Sequence, residues 1–197
     1  MRIAAVIIAG GQSSRMGTEK ALLMLRGKPL LAHIVKRIAT QVGSVIINAN
    51  GDAARYAEFG LEIIADCRPD IGTPLAGIHA GLTWANERGF DAVLTVPSDC
   101  PFLPRDLAEH LRGADVPAAI AASGGQQHYL TGLWRRGLLE KLENEIDHHG
   151  LFRVRDWAVA CGAVPVMWPD HPHDPFFNVN TPDDLAEVAR IAAEFAP

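Results

Sequence analysis

The sequence is short of cysteine, has no concentrated positive charge, and contains no apolar run of membrane-spanning length. Its three cysteines, Cys67, Cys100 and Cys161, are odd in number, scattered and without C-x-x-C spacing. That excludes a disulfide frame or a zinc ribbon and predicts reduced thiols in a cytoplasmic protein. Net charge is −5, with 18 Lys and Arg mixed among 23 Asp and Glu. No basic patch recommends a nucleic-acid groove. Charges or turn residues interrupt every apolar run, so no membrane association is expected. The N-terminus enters a strand directly, without the regions of a signal peptide. Repeats, low-complexity tracts and linkers are also missing. With 197 residues, 48% of them hydrophobic, residues 1–197 are expected to form one domain with a sizeable core.

Two phosphate-binding signatures are missing as well. A P-loop needs Gly-Lys-Ser/Thr after its spacer, but Gly17 is followed by Thr18, and Lys20 comes three residues after Gly17. The G-x-G-x-x-G dinucleotide fingerprint does not occur. What stands instead is Ile3–Ile8, an apolar run of buried-strand character, breaking at Gly10-Gly11 and continuing Gln12-Ser13-Ser14-Arg15-Met16-Gly17-Thr18-Glu19-Lys20. Adjacent glycines let a ligand approach the main chain. A strand opening into a loop with exposed N–H groups and two cations suits a polyphosphate; the plain alternative is a glycine-rich turn with surface charges.

The remaining chain alternates between strand and helix patterns. Helices are expected over 29–42, over Pro74 to about Glu87, over Pro104–Leu111, Leu138–Ile146, 151–161, and from Pro182 to about Phe195, with a short helical stretch at Ala53–Phe59. Strands are expected at Ser44–Ala49, Leu61–Ala65, Asp91–Val96, Val116–Ala122, His128–Trp134 and Ala163–Trp168, with a turn at Gly124-Gly125. The predicted fold is α/β, in three layers, with a mostly parallel central sheet and helices on both faces. In such sheets ligands collect at the strands' C-terminal edge. Gly10, Asn48, Asp66 and Asp99 all fall at such ends, from four different strands. The plain alternative for Asn48 is a strand-end turn residue, and for Asp99 a turn cap. A carboxylate placed like Asp99 can hold a hard cation beside phosphates. His171-Pro172-His173-Asp174 has metal-ligand residue types, but it lacks a framework to fix their geometry and is expected to be surface loop. Thr181 suits an N-cap and Pro182 a first helical position.

Gly10-Gly11, Arg15-Met16-Gly17, Lys20 and Gly27-Lys28-Pro29-Leu30 together resemble the molybdenum cofactor guanylyltransferases, a MobA-like nucleotidyltransferase family. The resemblance resumes at Asn48-Ala49-Asn50, Pro74-Leu75-Ala76-Gly77, Pro97-Ser98-Asp99-Cys100-Pro101-Phe102 and Asn178-Val179-Asn180-Thr181-Pro182. It covers essentially the whole chain. Relatives usually carry glycine where Thr73 stands, and often proline where Tyr129 stands, so little function is carried onto His128.

The resemblance implies a Rossmann-like nucleotidyltransferase fold whose mixed sheet has an antiparallel element in its second half. It implies transfer of GMP from GTP to molybdopterin-bound molybdenum cofactor, with release of pyrophosphate. Arg15, Lys20 and Asp99 are the expected catalytic residues. Ile8, Ala9, Gly10, Gly11, Lys20, Asn48, Asp66 and Asp99 would bind GTP, Asp99 would hold Mg²⁺, and Asn178 and Asn180 would meet the acceptor. Proteins of cofactor delivery and molybdoenzyme maturation are the implied partners. Three alternatives stay open: a cytidylyltransferase for the same cofactor, a nucleotidyltransferase for a sugar or alcohol phosphate, and a non-catalytic nucleotide-binding regulator. The joint presence of Arg15, Lys20 and Asp99 argues against the last, because binding alone does not need the whole set.

Overall fold

The computed structural model describes residues 1–9 and 20–195. Gly10, Gly11 and Arg15 therefore lie outside the described residues. In chain order the elements are β1 (Ile3–Ile8), β2 (Met24–Leu25), β3 (Lys28–Pro29), α1 (Leu30–Ile38), β4 (Ser44–Asn48), β5 (Glu62–Ile64), α2 (Leu75–Glu87), β6 (Ala92–Pro97), α3 (Leu107–Gly113), β7 (Ala118–Ser123), β8 (Gln126–Arg135), α4 (Leu139–His149), α5 (Val154–Ala160), β9 (Val164–Met167) and α6 (Pro182–Phe195). Short 3-10 helices occupy Lys20–Leu22 and Ala53–Phe59, among others.

All six residues of β1 are buried. Successive strand side chains point to opposite faces, so Ile3, Ala5 and Ile7 enter one core while Ala4, Val6 and Ile8 enter another. An all-apolar strand therefore needs cover on both faces. On one side α1 and α3 supply Leu31, Ile34, Ile38, Leu107 and Leu111. On the other, α2, α4 and α5 supply Leu75, Ile78, Leu142, Ile146 and Trp157. A third cluster seats Val188, Ile191 and Ala192 of α6 on Leu25 and Leu30.

The seven-stranded sheet has the order β5-β4-β1-β6-β8-β7-β9. Only β8 runs against its neighbours, β6 and β7; the other pairings, β1–β4, β1–β6, β4–β5 and β7–β9, are parallel. Ile8 pairs with both Asn48 and Pro97, and Asn48 pairs with Ile64, so four strands end at one edge. The β7–β8 turn lies at that edge too. Gly124 and Gly125 take φ of +51° and +77° there, as a tight hairpin requires.

Three expected helices are shorter than their patterns. The stretch 29–42 is helical only over Leu30–Ile38, because Gln41 leaves the helix to act as a staple. Its amide nitrogen donates to the carbonyls of Arg37 and Pro104 at 2.8 and 2.9 Å, and its amide oxygen accepts from the Ala108 N–H at 2.9 Å. That same bond satisfies a first-turn donor of α3, which begins at Leu107 rather than Pro104. Residues 151–161 are helical only over Val154–Ala160, because Leu151 still belongs to the end of α4, its N–H donating to the Glu145 carbonyl at 3.2 Å. Among the described residues, no helix is long and apolar enough to cross a membrane. All three thiols are unpaired.

Candidate active site

The edge where the parallel strands end opens into a cleft of about 670 Å³. Of the residues expected from the sequence to form the site, Ile8, Ala9, Lys20, Asp99 and Asn178 line it. Lys20 sits in the 3-10 turn that returns the chain to the edge, and Asp99 in the turn after β6. The Lys20 ammonium donates to the Asn180 Oδ1 at 2.5 Å and lies 3.5 Å from the Asp99 carboxylate. The Asp99 side chain is only 18% exposed. Burial pushes its carboxyl above the ordinary carboxylate range, and the Lys20 ammonium pulls it part of the way back. A buried carboxylate incompletely offset by one ammonium is a place for further positive charge.

Two backbone ties and a cap hold this geometry. Val179 N–H donates to the Asp99 carbonyl at 3.0 Å, joining the Asp99 turn to the segment that carries Asn178 and Asn180. The buried Cys100 thiol donates to the Phe176 carbonyl at 3.4 Å. Asn180 and Thr181 N–H both donate to the Asp184 Oδ2, at 2.9 and 2.8 Å, while Asp184 N–H donates to the Thr181 hydroxyl at 3.1 Å. This reciprocal box starts α6 and places Asn180 immediately before it.

Asn48 and Asp66 form a separate polar group beside the cleft. Asn48 is buried, and its amide donates to the Asp66 Oδ1 at 2.9 Å. Asn50 donates to the Asp66 Oδ2 at 2.7 Å and accepts from the Asp66 N–H at 3.0 Å. The Asn48 amide nitrogen also lies 3.4 Å from the Ile64 carbonyl, so its donors are directed within this group. The Ala9 N–H is likewise taken, donating to the Asn48 carbonyl at 2.9 Å. The group depends on the close approach of α2: a Cβ on Gly77 would stand 2.4 Å from the Asn48 Oδ1, and one on Gly81 2.6 Å from Val6.

The far wall holds residues to which the sequence reading assigned little. Ser123, His128 and Asp174 are linked: the Ser123 hydroxyl lies 2.7 Å from the His128 Nε2 and 2.8 Å from the Asp174 Oδ1. The His128 ring stacks on Phe176 with centroids 4.6 Å apart. Desolvation lowers the pKa of His128, against a raising influence from Asp174. Next to His128, the β7–β8 register slips between Ile120 and Ala121, which pair with Gly132 and His128 respectively. Tyr129, Leu130 and Thr131 are bulged out and line the cleft, as bulges beside functional sites often re-aim side chains. Thr95 fixes the bulge, donating to the Leu130 carbonyl and accepting from the Trp134 indole, at 2.9 and 2.8 Å. The Gly124-Gly125 turn was a usable signal, since a hairpin after a parallel strand returns its partner to the ligand edge. Asp174 gave no such signal. It lies in a loop, as expected for 171–174, but faces the cleft.

A family model described as the MobA-like NTP transferase domain matches residues 5–161. The chain belongs to that family. It is 42% identical, over 95% of its length and 92% of the relative's, to a molybdenum cofactor guanylyltransferase of Bradyrhizobium sp. (strain ORS 278). It is also 42% identical to that of Rhodobacter capsulatus, over the whole of both chains. Among solved structures, molybdopterin-guanine dinucleotide biosynthesis protein A of Archaeoglobus fulgidus superposes with a TM-score of 0.72 at 25% identity, covering 99% of this chain and 100% of that one. A CMP:2-keto-3-deoxy-manno-octonic acid synthetase shares the fold, with a TM-score of 0.75 at 18% identity, over 98% and 99% of the two chains. The family match includes Asp99, Ser123 and His128 but stops before Asp174, Asn178 and Asn180, which the full-length relatives span.

Proposed function

We propose that this MobA-like NTP transferase acts in the cytoplasm as a single domain, transferring GMP from GTP to molybdopterin-bound molybdenum cofactor. The observation that carries the reading is the meeting of Lys20, Asp99 and Asn180 at one sheet edge, in a chain 42% identical to guanylyltransferases of this cofactor.

A terminal phosphate oxygen of the acceptor attacks the α-phosphorus of GTP. The bond between the α-phosphorus and the bridging oxygen breaks, and pyrophosphate leaves with the electron pair. The acceptor phosphate is already an anion, so no protein nucleophile is needed, and the protein's work is positioning and charge neutralisation. Lys20, with Arg15, meets the charge that builds on the departing pyrophosphate. Asp99 and the carbonyl oxygen of Asn180 are hard oxygen donors suited to Mg²⁺, which keeps few protein ligands and shares substrate phosphates. The incompletely offset charge of buried Asp99 fits a divalent cation. When bound, Mg²⁺ supplies further neutralisation of triphosphate charge. Guanine presents two adjacent donors, N1–H and the 2-amino group, and Asp66 is an acceptor held in place by Asn48 and Asn50. Ile8 and Ala9 line the cleft and, with Gly10 and Gly11, are assigned to the nucleotide, as Asn178, which also lines it, is assigned to the acceptor.

The test is incubation with GTP, Mg²⁺ and molybdopterin-bound molybdenum, with the product identified by mass and pyrophosphate release measured. A product heavier by GMP is expected. Absence of any nucleotidyl product would overturn the reading, and a CMP adduct formed preferentially from CTP would replace it with the cytidylyltransferase.

A further inference from the structure

The far wall of the cleft contains a hydrogen-bond chain whose proton positions follow from counting. A carboxylate only accepts, and a hydroxyl has one proton to give. The Ser123 hydroxyl is 2.8 Å from the Asp174 Oδ1 and 2.7 Å from the His128 Nε2. Donation by Ser123 to the carboxylate requires His128 Nε2–H to donate to Ser123. Burial disfavours imidazolium, so the neutral ring carries its lone pair on Nδ1. That nitrogen has no hydrogen-bond partner among the described residues and belongs to a half-buried residue that lines the cleft. Ser123 is itself 1% exposed, and Phe176 holds the ring by stacking. Asp174 uses Oδ1 for both the Ser123 hydroxyl and the Phe176 N–H, leaving its Oδ2 without a partner among the described residues. Lys20, His128 and Asp174 all line the cleft, which therefore combines a cation with two acceptors that have no partner among the described residues, His128 Nδ1 and Asp174 Oδ2.

We propose that His128 and Asp174 form the acceptor's heterocycle subsite, in which His128 Nδ1 and Asp174 Oδ2 accept N–H donors from a pterin ring while its phosphate lies toward Lys20. Ser123 is a positioning residue that fixes the imidazole tautomer. The assignment rests on the proposed transfer to a pterin phosphate and names which residues read the pterin.

Titration calorimetry with hydroxymethylpterin, a pterin without phosphate, tests the subsite directly in the full chain. The wild type should bind it, and His128→Gln should bind about tenfold more weakly, because the longer amide reaches Ser123 but loses the Nδ1 acceptor. His128→Asn, which restores an acceptor near Nδ1, should recover part of the loss. In turnover, His128→Gln should raise KM for the molybdopterin acceptor and leave KM for GTP unchanged, and Ser123→Ala should do the same more weakly. Nitrogen NMR of the wild-type histidine should report protonated Nε2 and a Nδ1 shift on adding pterin, a readout that survives any variant's failure to fold. Equal pterin affinity in wild type and His128→Gln, no pterin binding by the wild type, or a protonated Nδ1 in the free protein would each overturn the subsite. If GMP reaches the acceptor while these readouts stay flat, only the subsite falls. If pterin binds as described but no GMP is transferred, the proposed reaction falls and the subsite stands.

Discussion

Asp99 is the side chain on which the proposed metal assignment turns. It is mostly buried, lies 3.5 Å from Lys20, and is held above its usual pKa range by desolvation. Asp99→Asn keeps its volume and removes the charge. We expect Mg²⁺-dependent turnover to fall by about a hundredfold or more with the melting temperature little changed; near-normal activity in the folded variant would place the metal elsewhere. Gly77 makes the opposite case, a residue with no chemistry whose missing Cβ matters. Gly77→Ala would drive a methyl into the Asn48 Oδ1, 2.4 Å away. The expected result is a stability loss of about 1–3 kcal/mol from overpacking, read by denaturant unfolding. KM for GTP should also rise, because Asn48 holds Asp66. An unchanged KM would detach this polar group from nucleotide binding.

Among the elements, α6 couples stability most directly to the site. Its N-terminal box joins Thr181 to Asp184 and fixes the backbone of Asn180, whose side chain meets Lys20. Hydrogen bonds from Asn180 and Thr181 hold the Asp184 carboxyl below the ordinary carboxylate range. A carboxyl lowered in the folded state adds stability that is present above its unfolded pKa of about 3.9 and lost as pH falls through the folded value. Asp184→Ala should therefore cost about 1 kcal/mol near neutral pH. Unfolding at a series of pH values should show that difference shrinking below about pH 4; a difference that persists in acid would mean that the box acts through packing alone. The β7–β8 hairpin is the second telling element, because its bulge turns an ordinary antiparallel pair into a cleft wall.

For the whole molecule, base choice is the property that integrates these parts. A site with a fixed acceptor for the guanine donors should bind GTP more tightly than CTP or ATP, because a buried polar mismatch is penalised strongly. Gly10→Ala, narrowing the approach to the backbone, should weaken the preference. Competition binding of the three triphosphates at fixed Mg²⁺ measures both, and equal or tighter binding of CTP would favour the cytidylyl alternative.

Much of this architecture was determined by the sequence itself. The apolar run Ile3–Ile8 required cover on two faces, and the alternation of strands with amphipathic helices required a layered α/β sheet. Asp99 was legible because it closely follows β6, and Lys20 because the loop after β1 combines glycines with cations; both line the cleft. Other features depended on contacts between segments far apart in the chain. Gln41 looked like helix until its side chain proved to staple Arg37, Pro104 and Ala108. Asn48 was legible as a strand-end residue, but its hydrogen bond to Asp66, 18 residues away, was not. Asp174 looked like plain surface loop until Ser123, 51 residues away, joined it to His128. Local periodicity reports burial along one element, whereas the partner of a polar side chain is chosen by how separate elements pack. The strand order and the register of β8 are what brought Ser123, His128 and Asp174 to the same edge as Lys20 and Asp99.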